Sequence, residues 1–290
     1  MPEPINLSGM SGEVRHELLK IAIQHENEKR PERLPIQLID ESDFIKHITN
    51  EGIDERFRSS RYQLLINSDG HYTCIDIDKR DGRKSLIILD ATNDPRCDNL
   101  LMDAEVLKNG YKTIRALGLS WDEKKDLQKD HHSCSLFAFD HCVQLSCTTP
   151  NFHDELGSKR ESKPSRFNIN RRYIFWDDLP PNFICNAQSI KFLDAYEEKM
   201  RAAGTLDSLD EIMPNANGLS YREYIKSGIV TYTEGEEEFT HNESINLHIL
   251  SKILNLSEAK ELIKDQLAGI TVEARADTDT TVEIPVLKAP

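Results

Sequence analysis

Apolar positions along residues 12–29 recur at helical spacing: Val14, Leu18, Leu19, Ile21, Ala22 and Ile23 form one broad stripe, and Pro31 ends it. The pattern then shortens. Residues 34–39 read as a strand, Phe44, Ile45 and Ile48 as a helix capped by Asp40 or Ser42 with Gly52 near its end, and 61–67 as a second strand. From His71 to Asp78 the chain alternates, Ile75 and Ile77 on one side and Asp76 and Asp78 on the other, as in a half-buried strand. The polar Lys79–Lys84 turn leads into the apolar run Ser85–Leu89, which ends on Asp90. Two such runs joined through Asp81-Gly82 predict a hairpin. His71 opens one strand and Asp90 closes the other, so antiparallel pairing puts both at one edge.

Beyond the hairpin, residues 93–99 read as a loop and 103–117 as a helix ending at Gly118. From Cys134 to Leu145 apolar residues mix helical and alternating spacings. The run exceeds usual strand length and Ser133 can serve as N-cap, which predicts a helix with Cys134 in its first turn. Unpaired N–H groups and the helix dipole there favour a thiolate. Residues 151–172 are hydrophilic, and the aromatic stretch Tyr173–Trp176 is expected to pack on the core. Residues 188–200 are helical by spacing. Residues 201–244 alternate weak helix with polar loop, including the acidic run Glu234–Glu238, and 245–267 read as a strong amphipathic helix or helix pair. The composition from Thr271 onward is that of a disordered tail. The expected organisation is a catalytic core over 1–200, a helical region over 201–270 on or beside it, and a tail over 271–290.

Composition narrows the function. With 290 residues the chain is long enough for one large domain or two small ones, and a net charge of −14 argues against general nucleic-acid binding or charge-driven membrane attachment. The N-terminus lacks the pattern of a cleavable secretory signal, and no apolar run approaches bilayer length; the expectation is a soluble protein. Six cysteines in a chain of this length do not make a disulfide framework, so a reducing compartment fits, with Cys74, Cys142 and Cys185 as buried thiols. The cluster His131, His132, Cys134, His141, Cys142 matches no common structural zinc spacing, so no metal is expected. His131 and His132 are better placed to line the rim beside the thiolate.

The order His71, Asp90, Gln128, Cys134 resembles the YopJ family of bacterial effector acetyltransferases and, more distantly, the ubiquitin-like-protein proteases of the same cysteine-protease clan. Residues 60–67 before the histidine and 179–189 after the cysteine add to the likeness, which covers about residues 15–200. It implies an α/β (α+β) fold: a small mixed sheet flanked by helices, with a ubiquitin-like-protease-type core and a helical C-terminal part. It implies His71 as base, Asp90 as its orienting carboxylate, Gln128 as oxyanion donor and Cys134 as nucleophile. For residues 121–129, local propensity gives helix and the family gives a strand.

The basic residues Lys159, Arg160, Lys163, Arg166, Arg171 and Arg172 form the densest basic stretch of an acidic chain. They read either as a solvated loop or as an anion pocket. The resemblance implies acetyl-CoA and an inositol hexakisphosphate activator as ligands, with Gln188 among the activator's contacts. Two positions depart from the family: its lysine-histidine-threonine-glutamine segment is Cys185-Asn186-Ala187-Gln188 here, and the glycine after the nucleophile is Ser135. The implied activity is acetylation of serine, threonine or lysine on a host protein, a kinase or a ubiquitin-conjugated protein being the candidate partners. The implied location is the host cytoplasm after secretion without a cleavable signal. The same four residues would also serve a deubiquitinase or ubiquitin-like-protein isopeptidase, and a binding module that has lost catalysis is a third reading.

Overall fold

A computed structural model describes residues 10–49, 59–82, 84–92, 94–103, 105–117, 127–130, 132–149, 151–159, 171–205, 219–234 and 237–264. Its centre is a six-stranded mixed sheet in chain order: β1 (Ile36–Asp40), β2 (Arg61–Ser68), β3 (His71–Asp78), β4 (Ser85–Leu89), β5 (Lys112–Leu117) and β6 (Arg171–Phe175). The β2–β3 and β3–β4 pairs are antiparallel, and the others are parallel.

Helices cover both faces. On one side α2 (Glu41–Thr49) and α3 (Pro95–Asp103) bury Phe44, Ile48, Leu100 and Leu101 against Ile75, Ile77, Leu86 and Ile88. On the other, α1 (Gly12–Lys29), α4 (Cys134–Ser146) and α5 (Phe152–Ser158) pack with Tyr72, Cys74 and Trp176. Burial on both faces corrects the half-buried reading of β3, in which every residue is buried. Its carboxylates are accommodated by pairing: Asp76 with Arg61 and His153, Asp78 with Arg80. Helix α4 is buried nearly all round, with Leu136, Phe137, Phe139, Cys142 and Leu145 in the core. At about 1.5–3 kcal/mol per buried side chain, that burial holds the helix although its sequence lacks an amphipathic stripe.

The segment after β4 differs from expectation. The loop read over 93–99 starts helix α3, and the helix read over 103–117 is turn followed by β5. Asp94 Oδ1 accepts the N–H of Arg96 (2.8 Å) and Pro95 occupies the first helical position, a start signal the hydrophobic pattern does not carry. Gly110, at φ +82°, turns the chain into β5, whose residues are fixed by pairing to β4 and β6. The hydrophilic stretch from 151 contains α5, with Phe152, His153 and Leu156 buried, and ends in β6.

C-terminal to the sheet come α6 (Ile190–Ala202), α7 (Tyr221–Gly228), the antiparallel hairpin β7 (Ile229–Glu234) and β8 (Glu237–Asn242), a π-helical segment (Ile245–Leu250) and α8 (Ser251–Leu254). The hairpin corrects the helix-and-loop reading of 201–244. Tyr221, Tyr224, Leu250 and Ile253 enter the same core as α1 and α4. Among the described residues, no helix is long and apolar enough to cross a membrane. Gly52, residues 118–126 and the tail from 271 lie outside the described residues.

Candidate active site

The Asp69-Gly70 dipeptide sets the position of His71. Both residues have positive φ (50° and 79°), the two-residue geometry that joins antiparallel strands, and Ser68 pairs with His71 across the turn. The β3–β4 register aligns Cys74 with Leu89, which carries Asp90 to the same end of the sheet. There the His71 Nε2–H donates to Asp90 Oδ1 at 3.1 Å. Asp90 is itself held: it accepts from the N–H of Thr92 (3.2 Å), the Thr92 hydroxyl (3.1 Å) and the N–H of Asp94 (2.9 Å), with Arg115 Nη2 at 3.7 Å. With Nε2 so engaged, Nδ1 is left for the other partner of the ring, the thiol of Cys134.

Cys134 opens α4, is 9% exposed, and directs Sγ toward Gly70 O at 3.8 Å. Burial opposes charge on His71, but the hydrogen bonds to Asp90 and Cys134, together with their charges, prevail and raise its pKa to about 9. That is the electrostatic signature of an imidazole built to hold a proton beside sulfur. The first intrahelical bond of α4 runs from Phe137 N to Ser133 O, so the N–H groups of residues 134–136 lie at the open end of the helix dipole. Ser133 stands at the N-cap but does not cap with its own side chain. The carboxylate of Asp130 holds the turn just before the helix, accepting the N–H of His132 (2.8 Å) and of Ser133 (2.7 Å) and the Ser133 hydroxyl (2.7 Å).

Gln128 reaches the border of the site because its N–H donates to Ala91 O (3.2 Å), directly after Asp90. Its side-chain Nε2 donates to Asp130 O at 2.7 Å within its own loop. Of residues 121–129, where helix and strand were the two expectations, 121–126 lie outside the described residues and 127–129 are irregular.

A model of the YopJ serine/threonine acetyltransferase family matches residues 5–239. The chain belongs to that family. Acyl transfer is therefore the enzyme class of this YopJ-family protein. AvrA delL154 with IP6 and CoA superposes with a TM-score of 0.58 at 15% identity, over 87% of this chain and 89% of its own. HopZ1a in complex with IP6 superposes at 0.59 and 13% identity, over 89% and 88%. At such identity the two show a shared fold. A de-sumoylating protease aligns with a TM-score of 0.33, too low to bear on the fold. No curated protein matches the sequence.

Around this YopJ-family site the structure adds residues the sequence pattern did not mark. Tyr72, the neighbour of His71, bonds His16 Nδ1 at 2.9 Å, and Arg15 donates to His132 Nδ1 at 3.1 Å, so the start of α1 forms one rim. On another side Arg96 joins Asp94 to the carbonyls of Ser68 and Asp69. His132 thus stands on the rim as expected; His131 lies outside the described residues. His141 does not join Cys134: it stacks on Trp176 and Phe183 inside the core, where burial lowers its pKa to about 4.

Of the basic stretch, Arg160, Lys163 and Arg166 lie outside the described residues. Lys159 follows α5 and Arg172 Nη1 donates to Lys159 O at 2.8 Å, whereas Arg171, its neighbour in β6, lies on the opposite face of the strand with Tyr173. A cleft of about 340 Å³ between α5, residues 176–180 and α6 includes Lys159 but none of His71, Asp90 and Cys134. Gln188, expected beside a polyanion, is 2% exposed and has both ends of its amide engaged with residues 129–130.

Proposed function

We propose that this YopJ-family chain acetylates hydroxyl or amine side chains of host proteins through an acetyl-Cys134 intermediate, with acetyl-CoA as the acyl-donor substrate. The observation that carries the reading is one imidazole set between a buried carboxylate at 3.1 Å and a thiol at a helix N-terminus. His71 takes the proton of Cys134 and Asp90 holds the imidazolium that results. The thiolate attacks the thioester carbonyl, and the oxyanion faces the N–H groups at the open end of α4. Collapse breaks the bond to sulfur of CoA, which leaves with the proton from His71. An acceptor hydroxyl or amine then gives its proton to His71 while attacking acetyl-Cys134, and the thiol is restored.

Lys159, Arg171 and Arg172 carry the charge to hold phosphate oxygens of inositol hexakisphosphate or CoA. AvrA and HopZ1a are named as bound to such ligands, which supports the same chemistry here. Family membership supports a secreted effector at work in host cytoplasm.

The test is incubation with labelled acetyl-CoA and inositol hexakisphosphate, alongside a C-terminal ubiquitin activity probe. Acetyl label on Cys134 that transfers onward, and is lost in Cys134→Ala, is the expected result. Reaction of Cys134 with the ubiquitin probe and none with acetyl-CoA would replace the transferase by an isopeptidase.

A further inference from the structure

We infer that Gln188 and Asp130 form a clamp that presents Cys134 to His71, which makes Gln188 a positioning residue for the nucleophile in place of a polyphosphate ligand. The inference rests on Cys134 being the nucleophile, as proposed above.

The loop that leads into α4 has little regular structure to hold it. Two side chains do so instead. Gln188 Oε1 accepts the N–H of Lys129 (2.6 Å) and of Asp130 (3.1 Å), and Gln188 Nε2 donates to Asp130 Oδ2 (2.5 Å). Asp130 in turn accepts the N–H groups of His132 and Ser133 and the Ser133 hydroxyl. The backbone donors of residues 129, 130, 132 and 133 are thus met by one amide and one carboxylate, up to the residue before the sulfur. With four backbone donors met this way, the loop conformation depends on both side chains.

Gln188 is fixed from behind as well. Its N–H donates to Leu127 O (2.8 Å) and its carbonyl accepts from Asn242 N (3.1 Å). Asn242, fully buried at the end of β8, also donates its side-chain amide to Cys185 O (3.1 Å) and Ala187 O (3.0 Å). The 185–188 segment is therefore held between the nucleophile loop and the C-terminal hairpin. A glutamine so placed has its amide committed to the loop.

The test is the pH profile of Cys134 alkylation by iodoacetamide in the full chain, resolved by peptide mass because Cys147 is exposed. In wild type, Cys134 should react below the pH range of Cys147. In Gln188→Ala the rate at pH 6.5 should fall at least tenfold and the midpoint move toward that of an ordinary thiol, about 8.5, with the circular dichroism spectrum unchanged. Gln188→Glu sets two carboxylates against each other and should show the same loss. Adding Asp130→Asn restores one donor and one acceptor with the polarity reversed and should recover the profile. Should Gln188→Ala fail to fold, that swap decides: recovery supports the clamp and no recovery overturns it. A wild-type profile in folded Gln188→Ala overturns the clamp alone, whereas a wild-type Cys134 no more reactive than Cys147 overturns the nucleophile reading and the clamp with it.

Discussion

Replacing Asp90 with asparagine tests the site most directly. The rise of the His71 pKa from 6.5 to about 9 corresponds, at about 1.4 kcal/mol per pH unit, to about 3 kcal/mol favouring the imidazolium. Burial acts in the opposite sense, so Asp90 and Cys134 together supply more than that net amount, and Asp90 is the larger contributor. Asparagine cannot copy the arrangement. With its carbonyl toward His71, its amide meets the N–H of Asp94 and the guanidinium of Arg115; turned over, the amide faces His71 and Thr92. Either way the charge that retains the proton is gone. Loss of about 2–3 kcal/mol of this stabilisation, with the ring less well oriented, predicts a fall in acetyl-enzyme formation of about a hundredfold or more. Rapid-quench measurement with labelled acetyl-CoA reads it. Stability gives an independent check. Because the folded pKa is the higher one, the contribution from His71 is complete below pH 6.5 and is lost as pH rises through about 9. Urea denaturation should show that decline in wild type and not in Asp90→Asn. A folded variant that forms acetyl-enzyme within threefold of the wild-type rate would refute the assignment of Asp90.

Three further perturbations follow from buried groups elsewhere. Burial raises the carboxyl of Asp140 to about 6, against hydrogen bonds from Gln144 and Asn186 that pull it down. Its contribution to stability is therefore full below 3.8 and lost as pH climbs through about 6, so Asp140→Asn should flatten that decline in urea melts while setting one amide donor against another. Asp76→Ala leaves Arg61, Gln63 and His153 without their shared carboxylate and should cost about 3–5 kcal/mol in the same assay. At Gly228 an added Cβ would sit 2.0 Å from Ser244 Oγ and 2.4 Å from Asn242 Oδ1. Gly228→Ala should lower stability by about 1–3 kcal/mol through overpacking, and calorimetric melting would show it.

What the sequence disclosed depended on the range of the cause. α1 keeps its expected span because its stripe and stop are local, and the β3–β4 hairpin follows from two apolar runs around Asp81-Gly82. Local signals also existed for what was misread: Asp94-Pro95 starts α3, and the β-branched run after Gly228 makes β7. β5 is different, since Lys112–Leu117 becomes a strand through neighbours on either side that lie far along the chain. At the site His71 bonds Asp90, and the Cys134 sulfur faces the carbonyl of Gly70, the residue before His71. The amides of Gln128 and Gln188 both bond Asp130, a partner that nothing local in the sequence marks.

Strand β3 bears two histidine–aspartate pairings, and comparing them shows what distinguishes a reactive arrangement from a structural one. At its far end His153 joins Asp76 (2.9 Å) to the Ser85 hydroxyl (2.9 Å), the same connectivity of acid, imidazole and nucleophile-type group as Asp90, His71 and Cys134. Asp76, however, also takes a two-pronged bond from Arg61 (3.0 and 3.0 Å) and one from Gln63 (3.0 Å), while Arg61 reaches the carbonyl of Leu145 at the end of α4. The carboxylate is balanced by a permanent cation, Arg61. At the near end, Arg115 stands back at 3.7 Å from Asp90, His71 is the carboxylate's close ring partner, and the sulfur lies at the positive end of α4. The first network fastens the end of α4 to the sheet, and the second lies at its beginning. A helix tied at its last turn by Arg61 and held through its N-cap residue Ser133 by Asp130 has little freedom to shift along its axis.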